Sequence, residues 1–505
     1  MSTADMSPYV VSLVVFVLLA WLIVALRRIK APVLGLYRGL RFEENSPIGI
    51  AGLARLPFPS VTAVRYKQLY AIGFISRRTI PLIFANRLRY VLARLGLLRR
   101  RIHAAGLLES ETARRWRDDD FFVEQFLTLH ACEVIALCPA LPEADRARIL
   151  ERAPALGQAA AEGRLYILDH TPYLVGTQPF LRPRALLYAT RAYIEVRDDR
   201  PKLAAIGWDD GLALPGDEGW MAARAMHSHG SLMVCQISLH LFTHVIAEGA
   251  AVAMYRKLGR AHPMRDLLTP FIGLVPFVDL GYGKDVIFDS VAGASSLTRA
   301  GLEQILRNVQ HTTWGYLDAA EHRARRRVEG LPGYVFGQES ARFHALIHEG
   351  AVEAIEALYP SDAAVVADVE LNAWLDDMAT HMRWPRIAST REALAHLIGN
   401  LMFLATFRHS IYHHRADELY GLTENVPTII YADGSPPGIV EQYVIEYYAG
   451  CMVSASSPWR CETATTREMG IRHPALRGPI DRMMKRYAEA AKGPYAAMSH
   501  GTLTH

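Results

Sequence analysis

Leu239-His240-Leu241-Phe242-Thr243-His244-Val245-Ile246 and, further on, Phe407-Arg408-His409-Ser410-Ile411-Tyr412-His413-His414 are the two stretches on which the reading of this chain turns. In each, a pair of histidines stands four positions apart among apolar residues. On an α-helix such positions share one face, about 40° apart around the axis, so each pair can offer two imidazoles to one point. Two such helices packed face to face supply four nitrogen donors, a set that suits Fe, Mn, Zn or Cu. One pair is weak evidence in a chain with 20 histidines, and the plain alternative for any of them is a hydrogen-bonded core histidine. Two pairs on apolar helices make His240, His244, His409 and His413 candidate metal ligands.

The surroundings support buried helices. Trp220 opens a helical pattern that runs to about Leu258. A second long helix is expected from Ser389, where Ser389 and Glu392 have capping-box spacing; Leu394, Leu397, Ile398, Leu401 and Met402 continue it at helical intervals. His227 and His229 are two apart and face different ways. His262 precedes a proline at a helix end, and His414 turns away from His413. Strand-like runs occur at Leu165–Leu168 and from Ala185 to Tyr193, the latter before a Gly/Asp/Pro-rich stretch ending near Glu218. The fold class expected is mainly α.

With 505 residues, 51% of them hydrophobic and 21% charged, the chain is long enough and apolar enough for a large core. A net charge of +4 gives no sign of a nucleic-acid partner, and no nucleic-acid motif is present. Cys132, Cys138, Cys235, Cys451 and Cys461 are odd in number and lack metal-type spacing, which reads as reduced thiols. Pro8 to Leu26 carries no charge, and at ~1.5 Å per residue it approaches the thickness of a bilayer core. Arg27, Arg28 and Lys30 follow it at once. A retained single-pass anchor, with the bulk of the chain in the cytoplasm, is the reading preferred over a cleaved signal peptide. Residues 27–114 are basic and amphipathic, suited either to anionic headgroups or to a solvated helix face. Arg323, Arg325, Arg326 and Arg327 read as an exposed helix end.

The metal stretch resembles the lipoxygenase family. His244-Val-Ile-Ala-Glu248, Ala253-Met-Tyr-Arg256, His262-Pro263 and Leu267-Leu268 follow the spacing of that family's central helix without a gap. Trp220, Arg224 and Gln236 fall where the family places a Trp, a basic residue and a Gln. Weaker similarity reaches Gly163–Asp169 and Asp120–Gln125, so the resemblance spans roughly residues 115–505. It implies a large helical lipoxygenase-type catalytic domain over 115–505, following an anchor over 8–26 and the basic region over 27–114. The family's extra N-terminal β-barrel is expected to be missing. It also implies one non-heme iron held by His240, His244, His409, His413 and the main-chain carboxylate of His505.

Departures from the family pattern narrow these expectations. The first pair is H-x3-H where most members have H-x4-H. The longer spacing needs a π-type turn to converge, whereas a plain α-helix satisfies the shorter one. Fungal manganese members share the shorter form, so Mn stands beside Fe. His505 replaces an apolar C-terminal residue, which puts the fifth ligand in doubt; its imidazole or that of His500 is a lesser substitute. Tyr282 occupies the place of the family's small stereochemistry residue, and Ala416 that of a second glutamine beside Gln236. Tyr282, Val286 and Gln236 are the substrate-side candidates.

The activity the resemblance implies is O2 insertion into a polyunsaturated fatty acid or related lipid to give a hydroperoxide, with a metal-bound hydroxide as the proton acceptor. A monomer is expected. Two rivals remain: isomerisation of a hydroperoxide or another allylic oxidation at the same site, and a metal-free, membrane-anchored lipid-binding protein.

Overall fold

The computed structural model describes residues 114–129, 132–273, 275–276, 279, 295–310, 313–382, 384–416, 419, 426–434, 441, 461, 463–496, 498 and 500. The expected anchor over 8–26, nearly all of the basic region over 27–114, and Tyr282, Val286 and His505 lie outside these residues.

The described chain begins with Asp119–Thr128 (α1), capped by Asp118, whose carboxylate accepts from the amides of Asp120 and Phe121. An antiparallel sheet follows, built from Ile135–Leu137 (β1), Leu165–Asp169 (β2), Arg191–Arg197 (β4), Arg200–Trp208 (β5) and Gly211–Ala213 (β6), in the order β1-β2-β4-β5-β6. Ala185–Leu186 (β3) pairs instead with Ile430–Tyr431 (β7). Both faces of the larger sheet are covered. Tyr166, Leu168, Ile194 and Ile206 meet the main core, while Leu165, Ile167, Tyr193 and Ala205 pack under Glu143–Arg152 (α2) and Ala155–Ala161 (α3). Double-sided burial explains why β2 reads as an unbroken apolar run rather than an alternation. The expected strand from Ala185 to Tyr193 is divided between β3 and β4. The polar stretch after it contains β5, which the sequence reading missed. Asp198 and Asp199 both have positive φ and form the two-residue hairpin turn between β4 and β5.

The longest helix, Trp220–Lys257 (α4), crosses the middle of the molecule. Among the described residues it alone is long and apolar enough to span a membrane, but its apolar window is wholly buried in the protein. It is a core helix. Its N-terminus is tied to α1, where Trp220 Nε1 and Arg224 Nη1 donate to the Asp119 carboxylate at 3.0 and 2.9 Å. After it come Pro263–Ile272 (α5), Arg299–Gln310 (α6), Ala319–Arg326 (α7), Val335–Leu358 (α8) and Val369–Met382 (α9). His262 caps α5, its Nδ1 accepting from the Met264 amide, as its place before a proline suggested.

The second long helix, α10, is made of Arg391–Phe403, Leu404–Arg408 and His409–His413. Its cap is Thr390, whose hydroxyl accepts from the Ala393 amide, and not Ser389; the helix starts one residue later than the capping-box spacing implied. Helix α8 lies along α10 on one side and along Pro474–Ala490 (α11) on the other. Gly399 permits the close approach of α8 and α10, since a Cβ there would stand 3.2 Å from the His348 Cα.

The basic run at the end of α7 is only partly exposed. Arg327 takes a left-handed cap conformation in the solvent, but Arg326 turns inward and donates to the Ile135 carbonyl and the Tyr334 hydroxyl.

Candidate metal centre

α4 and α10 each change helical type just before their first candidate ligand. Val234–His240 and Leu404–Arg408 are π-helical, and Leu241–Lys257 and His409–His413 return to α. The shorter H-x3-H spacing was expected to dispense with a π turn. The turn is present nonetheless, ahead of the pair rather than inside it. Such turns recur where a helix presents functional side chains.

Four imidazoles meet between the two helices. His240 Nε2 and His244 Nε2 are 3.3 Å apart, and they stand 3.1 and 2.9 Å from His409 Nε2. His413 Nε2 is 3.1 Å from His409 Nε2, and its ring lies against that of His240 with centroids 4.8 Å apart. His240, His244 and His409 are buried and form a compact triad of donor atoms; His413 is half-buried at its edge.

The outer ring nitrogens decide the protonation state of two of these rings. Gln236 Nε2 donates to the Tyr412 carbonyl at 3.1 Å, which fixes the amide so that its Oε1 faces His240 Nδ1 at 3.0 Å. An amide oxygen only accepts, so His240 carries its proton on Nδ1. His244 Nδ1 lies 2.7 Å from Asp279 Oδ1 and is likewise the donor to a carboxylate. In the neutral ring, Nε2 of both histidines is then a bare lone pair, and both lone pairs point at the same spot. Two such acceptors facing each other inside a protein repel unless a cation lies between them. The spacing suits one: ligands at right angles with bonds of about 2.1 Å sit about 3.0 Å apart. The residues present therefore fit a transition-metal ion on imidazole nitrogen.

No family model matches the chain. Curated relatives do. The mouse polyunsaturated fatty acid lipoxygenase ALOX8 is 27% identical over 325 residues, covering 58% of this chain and 48% of the relative. The rat polyunsaturated fatty acid lipoxygenase ALOX15B is 26% identical over 324 residues, with the same two coverages of 58% and 48%. These relatives support a lipoxygenase-family protein of divergent form. The chain spans about half the length of the curated relatives it matches. The fold agrees: a calcium-dependent 11R-lipoxygenase superposes with a TM-score of 0.75 at 18% identity, over 92% of this chain and 76% of that one. The manganese lipoxygenase of Gaeumannomyces graminis gives 0.73 at 14% identity, over 94% and 96%.

The remaining candidates fall as follows. Gln236 touches His240 and the backbone of α10, so it braces the two histidine-bearing helices together. Ala416, where a second glutamine was expected, is buried. His500 is excluded as a ligand, because its Nδ1 bonds the Tyr487 hydroxyl at 3.1 Å and its Nε2 faces the Tyr495 carbonyl at 3.2 Å. His227 stacks on His170 with centroids 4.4 Å apart, and the two share the Thr190 hydroxyl, a core arrangement away from the triad. The cysteines Cys138, Cys235 and Cys461 are buried thiols. A cavity of about 160 Å³ beside Leu239, Phe242, Tyr173 and Tyr316 is smaller than the ~300 Å³ at which ligand pockets usually begin.

Two acidic residues escaped the sequence reading. Glu133 is buried and accepts from Arg408 Nε at 2.8 and 3.0 Å and from the Tyr412 hydroxyl at 2.8 Å. The Tyr412 ring in turn stacks on His240 with centroids 5.6 Å apart. Asp279 is the partner of His244 already described. Burial drives its carboxyl above the usual range, against the opposing pull of His244 and Glu248. Each is a lone acid in an apolar run, Cys132-Glu133-Val134-Ile135 and Phe277-Val278-Asp279-Leu280, and that was the available signal.

Proposed function

We propose that this chain is a non-heme metal dioxygenase that adds O2 to a polyunsaturated fatty acid or related lipid, yielding a hydroperoxide. The observation that carries it is the convergence of imidazole Nε2 atoms from two helices, those of His240 and His244 bare, in a chain whose curated relatives include fatty acid lipoxygenases. His240, His244, His409 and His413 would hold the ion, and iron or manganese would supply a one-electron oxidant for a bis-allylic C–H. The protein's own part is to keep these four rings aimed at one point, with Gln236 and Asp279 holding their outer nitrogens, and to keep water out. The triad is buried on two helices whose neighbouring residues Leu239, Leu241, Phe242 and Leu404 are buried as well, a low-dielectric setting of the kind radical chemistry on a lipid needs. The carboxylate of His505 as a further ligand, and Tyr282 and Val286 as walls of the lipid pocket, belong to the same reading. So does a single-pass anchor over residues 8–26, which would bring the domain to a lipid supply.

The test is the purified full chain loaded separately with iron and manganese. A panel of polyunsaturated fatty acids and their esters should give a conjugated diene with matching oxygen consumption. Loaded protein that forms no diene from any of them would overturn the reading. Diene-free turnover of a lipid hydroperoxide without oxygen uptake would point instead to an isomerase.

A further inference from the structure

His240 and His244 are held from behind by groups of different kinds. His240 donates to a neutral amide oxygen of Gln236 at 3.0 Å. His244 donates to the carboxylate of Asp279 at 2.7 Å, across 35 residues of chain. Asp279 has no solvent exposure, so its charge is not screened by water. One helical turn beyond His244 on α4 lies Glu248, also without exposure. The Asp279 Oδ1 atom stands at the back of a candidate metal ligand.

We propose that Asp279 is the positioning residue of this centre: it fixes the orientation and tautomer of His244 and makes that ring a stronger donor than His240. The proposal rests on the reading of the histidines as metal ligands. A carboxylate behind an imidazole gives the ring partial imidazolate character, which strengthens its bond to a cation and favours the higher oxidation state. An amide behind the ring orients it without adding charge. A carboxylate at Asp279 would also offset part of the charge that a metal ion would bring into a buried site, where an uncompensated charge is costly. The geometry thus assigns unequal roles to two histidines that look equivalent in the sequence.

The experiment uses the full chain stripped of metal and titrated with cobalt(II) alone, in competition with a chelator. It compares wild type, D279A and D279N. Cobalt affinity should fall about 10- to 100-fold in D279A. D279N keeps an oxygen at the same place but loses the charge; it should recover most of the affinity while shifting the visible absorption of the bound cobalt. A merely structural residue would not move that spectrum in a variant of unchanged melting temperature. D279A binding cobalt as tightly as wild type, or D279N with an unaltered spectrum, would overturn the proposal. If D279A does not fold, the D279N spectrum carries the test alone. Wild-type protein that fails to bind cobalt at all would instead overturn the metal-centre reading, so the two failures are distinguishable.

Discussion

The Nε2 atoms of His244 and His409, 165 residues apart in the chain, stand 2.9 Å from each other. Both rings are buried and neither can leave without opening the contact between α4 and α10. H409A should therefore abolish binding of iron and manganese, as should H240A, to below a tenth of an equivalent by elemental analysis. H413A removes the half-buried ring at the edge and should weaken binding without abolishing it. An H409A variant with a full equivalent of metal would show that the ligand set is wrong.

Gln236 touches both a candidate ligand on α4 and the backbone of α10 beside His413. Replacing it with leucine strands the Tyr412 carbonyl and frees His240 to change tautomer. Metal affinity should fall about 10- to 100-fold. The apoprotein should lose about 1–3 kcal/mol from the unpaired buried carbonyl. Chelator competition and denaturant melts measure the two effects separately.

Glu133 and Arg408 form a buried ion pair that fastens β1's leading edge to the ligand helix, with Tyr412 as a third member and the Arg408 guanidinium also reaching the Tyr316 carbonyl. Removing one charge leaves the other buried and alone. E133A and R408A should each cost about 3–5 kcal/mol. The double replacement E133L/R408M should cost clearly less than the sum of the two single losses. Additive losses in urea unfolding would mean the pair is not coupled.

Buried neutral histidines set an acid limit on stability. Burial lowers both His229 and His344 to about 4, and it holds His322 well below its usual value, aided by Arg326 and Arg408. In the unfolded chain these rings take up a proton near pH 6.5. Below that value the unfolded state binds more protons than the folded one, so stability is full above about pH 6.5 and falls as the pH drops toward about 4. His344 donates from Nε2 to Asn400 Oδ1 at 3.0 Å. H344Q keeps a donor without titrating, and its stability should therefore decline less steeply between these pH values. An identical slope in H344Q would remove His344 from the account.

Side-chain pattern carried much of the fold and site into view. The two histidine pairs, the burial of both long helices, β2 and the cap at His262 all depend on residue type and spacing, which are written directly in the chain. What stayed hidden depends on other things. β5 opens with Arg200-Pro201-Lys202, a polar start that masks the apolar stretch after it. Thr390 caps the helix while the Ser389 hydroxyl donates instead to Asn372 Oδ1 at 2.6 Å, a tertiary contact that spacing does not reveal. The roles of Asp279 and Glu133 arise only from contacts across 35 and 275 residues. The π turns change which carbonyl each amide reaches and leave no mark in side-chain periodicity.

Those turns have a consequence for anyone editing this protein. Each amounts to a single surplus residue folded into an otherwise regular helix, so the residues on its two sides obey different angular phases. On α4 the phase that seats Trp220 and Arg224 against α1 is not the phase that aims His240 and His244. Deleting one residue between Val234 and Leu239 would restore a regular helix, and the two halves would then have to choose: the ligands keep their aim and the anchor on α1 slips, or the reverse. Each long helix behaves as two joined pieces with an offset coupling, and grafts or fusions that preserve length but straighten the coupling will misalign one end.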